Sequence, residues 1–109
     1  MINSMTQNAD KSPVIVKVEQ DLVASQSVEL RDHLRNLIGQ GTRSVVLDFS
    51  QVRMVDSAGL GMIIAAHNSL KKVEGELAVT ECSAEILELF RSMRIHQHMR
   101  VEGAGVASV

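Results

Sequence analysis

Two rhythms of apolar and polar residues alternate along this chain. Val14-Ile15-Val16-Lys17-Val18 follows Pro13, is rich in β-branched residues and is bounded by polar ones, which predicts a strand. Asp21 to Ser25 is short and either extends a sheet or turns towards a helix. From Ser27 to Ile38 the apolar residues fall at Leu30, Leu34, Leu37 and Ile38, which is helical spacing. Ser27 stands where an N-cap is expected, and Gly39-Gln40-Gly41 stops the helix. Val45-Val46-Leu47 is a continuous apolar run between Ser44 and Asp48, a pattern suited to a strand buried on both faces. A loop over 50–56 leads to a second helix over 57–73, closed by Glu74-Gly75. Leu77-Ala78-Val79 reads as a short strand. Ser83 opens a third helix with Ile86, Leu89, Phe90 and Met93 on one face, and Met99-Arg100-Val101 reads as a last strand.

Strands alternating with helices of this length predict an α/β domain with largely parallel pairing. The 109 residues make one folding unit: a flexible arm or weak edge strand over 1–12, the domain proper over 13–102, and a flexible small-residue tail over 103–109.

Composition narrows the classes of function. Two aromatic residues, both Phe, leave the core to Val, Leu, Ile, Met and Ala. A net charge of −2 gives no electrostatic ground for direct nucleic-acid binding. Cys82 is the only cysteine and forms no internal disulfide, as suits a reducing compartment. The polar N-terminus lacks the apolar run of a signal peptide, and Gly59 to Ala66 is too short to span a bilayer. The expected setting is cytoplasmic, without membrane insertion.

Candidate chemistry concentrates in Val45-Val46-Leu47-Asp48-Phe49-Ser50 and Met54-Val55-Asp56-Ser57-Ala58-Gly59-Leu60-Gly61. Here a buried strand runs through a loop to a serine at the start of a helix. Helix N-termini present unpaired N–H groups and the positive end of the dipole, and so accommodate a phosphate. Ser57 or Asp56 also suits a plain N-cap, so capping and phosphate acceptance both stand at this point. At 100° per residue, Gly59, Met62, Ile63, Ala66, Leu70 and Val73 cluster on the side expected to face the sheet. Ser57, Gly61, Ile64 and Asn68 form a stripe on the other side, with Ile64 expected to be exposed.

The segment Leu-Asp-Phe-Ser followed by Val-Asp-Ser-Ala-Gly-Leu-Gly resembles the centre of the STAS family, in its anti-sigma factor antagonist branch. Val23 to Ile38 resembles the family's first helix, and Leu87 to Ile95 its last helix and exit turn. The resemblance spans about residues 14–102. It implies a single STAS-like α/β domain with a central mixed sheet of four or five strands and helices mainly on one face. It also implies a non-enzymatic switch in bacterial transcriptional signalling. In such antagonists the motif serine is phosphorylated by an anti-sigma factor that is also a serine kinase, the unphosphorylated form binds that partner, and a serine phosphatase resets the cycle. Carried over, Ser57 is the phosphoacceptor, and Asp56, Ser57, Ala58, Gly59, Leu60, Gly61, Ile64 and Asn68 form the partner-binding set. The chain is expected to be a monomer or weak homodimer. Two places depart from the family pattern: Gln20 and Val23 stand where many members have Gly and Asp, and Arg94 where many have Gly.

Two alternatives remain: a STAS subunit of a lipid-transport ATP-binding-cassette assembly, and a small nucleotide-binding α/β domain. The second is weak, because Gly59-Leu60-Gly61 lacks the third glycine and following acid of a dinucleotide site. No cofactor is implied. His96-Gln97-His98, read as strand, would point two imidazoles one way, but two histidines without further ligands do not make a metal site. His67 reads as a helix-surface residue, Cys82 as a buried inert thiol, and Arg31, Arg35, Lys71 and Lys72 as solvated helix faces.

Overall fold

The structure is a computed structural model that describes residues 12–105. Four strands and three helices alternate: β1 (Val14–Lys17), α1 (Val28–Gly39), β2 (Ser44–Asp48), α2 (Ser57–Lys72), β3 (Glu76–Cys82), α3 (Ala84–Ser92) and β4 (Arg100–Gly103). A 3₁₀ turn, Ile95–Gln97, separates α3 from β4. The sheet order is β1-β2-β3-β4, and all three pairings are parallel. The antiparallel pairing that would make the sheet mixed is absent among the described residues. The arm expected over 1–12 lies, except for Ser12, outside them, as do residues 106–109 of the tail.

A strand order that never reverses has a structural consequence. Parallel crossovers are right-handed, so successive crossovers in one direction place their helices on the same face of the sheet. Val16, Val45, Leu47, Leu77 and Val79 point to that face and join Leu34, Ile63, Leu70, Ile86 and Phe90 in one core. Phe49 and Phe90 meet there with ring centroids 6.1 Å apart at an angle of 56°, a tilted arrangement aromatic pairs favour. Ile15, Val46 and Ala78 share a row on the opposite face. Val46 and Ala78 are buried, whereas Ile15 is exposed. Thus the apolar run at β2 is buried on both sides.

The helix ends differ in how they are made. Ser27 occupies the N-cap position of α1, yet its side chain makes no capping bond. Ser83 does cap α3, its hydroxyl accepting from the Ile86 N–H at 3.2 Å. Beyond α2 the left-handed residue is Glu74, with φ 62°, rather than Gly75. Gly75 is required for another reason: a Cβ there would lie 2.2 Å from the Arg43 carbonyl oxygen. Arg94, after α3, has φ 60°. That is the region glycine enters most easily, so the backbone has the shape suited to the glycine that the resemblance leads one to expect here. His96 and Gln97 belong to the 3₁₀ turn and not to a strand, and β4 starts at Arg100 and runs to Gly103.

Candidate functional site

Two loops meet at the N-terminus of α2. Leu22 bridges Val55 in parallel fashion. Its N–H donates to the Met54 carbonyl at 2.9 Å, and its own carbonyl accepts from the Asp56 N–H at 3.1 Å. The Asp21 carboxylate accepts from the Arg53 and Met54 N–H groups at 2.9 and 3.3 Å. Asp21 to Ser25 therefore neither extends the sheet nor simply leads into α1. It clamps the loop that delivers α2.

Asp56 completes the clamp and settles which residue caps the helix. One of its carboxylate oxygens accepts from the Gly59 N–H at 2.9 Å, the other from the Ala24 N–H at 3.0 Å. These bonds, that from Gly59 foremost, stabilise the ionised form and hold the carboxyl below its usual range. Asp56 is the N-cap, and Ser57 is the first helical residue. Ser57 is exposed, and its hydroxyl makes no hydrogen bond among the described residues.

The two glycines of the motif have opposite surroundings. Gly59 is buried, and a Cβ there would stand 2.1 Å from the Leu22 carbonyl oxygen. Gly61 is exposed, with nothing within 4 Å of its notional Cβ. Leu60 is buried at 7% exposure, whereas Ala58, Ile64 and Asn68 reach solvent. Of the eight residues expected to form a partner-binding set, Ser57, Ala58, Gly61, Ile64 and Asn68 thus share an accessible surface. Asp56 lies at its edge, half-buried, and Gly59 and Leu60 lie beneath it. Ile64 is 38% exposed, as the helical stripe predicts. Ile64 and Asn68 also line a groove of about 340 Å³ against Met93, Ile95 and His98 of the α3 exit turn.

Sequence reasoning did not place Asp21 or Met93 at this end of the molecule, and it named Met54 only as part of the motif segment. Met54 and Met93 are more than half exposed, which apolar periodicity does not foretell. Asp21 carried a faint signal, an acid in a segment whose structure was ambiguous.

The other candidate groups fall elsewhere. Cys82 is buried, and burial followed by the nearby Glu81 charge pushes its thiol up to about 12, which leaves no nucleophilic thiolate at neutral pH. No three His, Cys, Asp or Glu side chains converge as a metal site among the described residues. Open α/β sheets bind nucleotides in the crevice where strand order reverses, and the strands described here do not reverse. No helix among the described residues is long and apolar enough to cross a membrane.

Comparison with known proteins agrees with this architecture. The STAS domain profile matches residues 4–104. The chain belongs to the STAS family. Two similar proteins share the description "putative anti-sigma factor antagonist". One is BtrV of Bordetella bronchiseptica, 31% identical over 78 residues, which are 71% of this chain and 67% of BtrV. The other is a crystal structure from Thermotoga maritima, with a TM-score of 0.78 at 16% identity, covering 83% of this chain and 78% of that one. The anti-sigma factor antagonist SpoIIAA shares the fold in both its unphosphorylated and phosphorylated forms, each with a TM-score of 0.67. Identities are 17% and 18%, over 89% and 84% of this STAS chain and 84% of SpoIIAA in both cases. A four-stranded parallel sheet with three helices is therefore a STAS fold of the anti-sigma factor antagonist kind.

Proposed function

We propose that this STAS domain is a phosphorylation-regulated binding switch. Its surface around Ser57 docks an anti-sigma factor that is also a serine kinase, and a phosphoryl group on Ser57 ends that docking. The observation that supports this reading is the division of labour at the start of α2. Asp56 satisfies the helix cap, which leaves the Ser57 hydroxyl exposed and uncommitted at the first helical position. Were Ser57 the cap, phosphorylation would cost a structural bond. As placed, the hydroxyl is free to react.

A phosphoryl group adds about −1.5 to −2 charges, next to a carboxylate that is already ionised. The helix N-terminus tolerates the charge without refolding, so the effect falls on the partner. Repulsion and bulk appear on the patch formed by Ala58, Gly61 and Ile64. A serine phosphatase restores the binding form. The reading includes no catalysis by this chain.

The intact mass of the protein purified from its own host, before and after phosphatase treatment, tests this directly. The expected result is a species heavier by one phosphoryl group that vanishes on treatment and is missing from Ser57→Ala. Against the cognate kinase, Ser57→Asp is expected to lose binding and Ser57→Ala to bind constitutively. If both variants bound as the wild type does, Ser57 would not be the switch.

A further inference from the structure

Three of the four histidines lie together, away from Ser57. His67 is ten residues further along α2, about 15 Å at 1.5 Å per residue. It lines an open cleft of about 440 Å³ with Lys71 of the same helix, His96 and His98 of the α3 exit turn, Arg100 of β4 and Glu76 of β3. His67 and Lys71 are four apart and share a helix face. The remaining histidine, His33, belongs to α1 and is not in the cleft.

We propose that this cleft binds a phosphate-type oxyanion, either free or as a phosphomonoester. Five cationic or protonatable side chains face one acid, Glu76. With neutral histidines, Lys71 and Arg100 against Glu76 leave one net positive charge, and Arg100 is partly spent on Glu102, 3.3 Å away. Protonation of the three histidines raises the total to four. The groups have no negative partner adequate to that charge within the cleft, so they repel one another as they charge. His67 is disfavoured as a cation chiefly by burial, and then by Lys71 and His98, which hold its pKa below the ordinary histidine value. Its buried Nδ1 has no hydrogen-bond partner among the described residues. An oxyanion seated between these groups reverses the balance. It accepts hydrogen bonds from imidazolium, ammonium and guanidinium donors, which are charge-assisted and strong, and it draws protons onto the histidines.

Binding and protonation are therefore linked: the anion binds more tightly as pH falls, and it draws the lowered pKa of His67 back up. The cleft does not include Ser57, Ala58, Gly61 or Ile64, although His67 and His98 also line the groove beside Ile64 and Asn68.

The test is an NMR titration of the four histidine ring signals with sulfate, which keeps its charge across the range, at pH 6 and pH 8. Sodium chloride at matched ionic strength is the control. The expected result is saturable movement of the His67, His96 and His98 signals at pH 6, a still His33, and binding at least about tenfold weaker at pH 8. Inorganic phosphate and phenyl phosphate at pH 6 then distinguish a free from an esterified ligand, and saturable binding of either supports the site. Lys71→Gln with His98→Gln, both at exposed positions, is expected to abolish the response while the protein stays folded. Equal movement with chloride, a response at His33 as large as in the cleft, or full binding by the double variant would overturn the proposal.

Discussion

Helix α2 presents two faces that obey different rules, and the motif glycines show the difference most clearly. On the inner face Gly59 touches the Leu22 backbone, and Ile63 and Leu70 are fully buried. On the outer face Gly61 stands in open space and Ile64 in partial contact with solvent. The inner face is fixed by packing, where a single methyl group is felt. The outer face carries no such constraint.

Substitutions of like chemistry on the two faces sharpen or break this contrast. The largest effect is expected from Gly59→Ala. Its methyl group meets a backbone oxygen that is itself bonded to the Asp56 N–H, so α2 must shift away from the 21–24 loop. A loss of about 3 kcal/mol is expected in urea unfolding, at the upper end for overpacking. A loss below 1 kcal/mol would mean that the clamp is slack. Gly61→Ala is the counterpart, expected to gain roughly 0.5–1 kcal/mol, because alanine is the better helix former where nothing obstructs it. Ile64→Lys is expected to leave stability within about 0.5 kcal/mol while weakening binding of the cognate kinase. If it unfolded the protein, Ile64 would belong to the core.

The remaining effect depends on pH. Asp56 titrates below its ordinary value in the folded state, so its contribution is present above the unfolded pKa of about 3.9 and lost as pH falls through the folded value. Stability profiles of Asp56→Asn are therefore expected to fall beneath the wild type above about pH 5 and to converge on it as pH falls through the lowered folded value. Asp48, held down mainly by the Ser50 N–H at 2.8 Å, keeps part of the acid limb in both proteins. Identical profiles would show that the carboxylate of Asp56 adds nothing an amide cannot supply.

Much of this arrangement is legible in the chain. Apolar spacing predicts α1 and α2 within a residue or so, because helical periodicity and an amphipathic surface have the same cause. It also separates Ile63 from Ile64, neighbours in sequence with opposite fates. The motif draws attention to Ser57 but not to its state, since Asp56 and Ser57 are equally good caps by residue type. His96 and His98 are misplaced by a strand reading, because local pattern does not distinguish a 3₁₀ turn from the start of a short strand.

By itself, then, the sequence determines the alternation of strand and helix, the buried run of β2 and the two faces of α2. These follow from residue size, branching and polarity repeated over several positions. Tertiary structure alone decides that Asp56 and not Ser57 caps α2, because the second oxygen of that carboxylate is held by Ala24 from another loop. It alone makes Gly59 indispensable and Gly61 replaceable, because only one of them meets the Leu22 carbonyl. It alone gathers His67, His96 and His98, because β3 and α3 intervene in sequence and the fold closes that distance. Local pattern reports which surface a residue prefers. Which residue it meets there depends on chain segments far away in sequence.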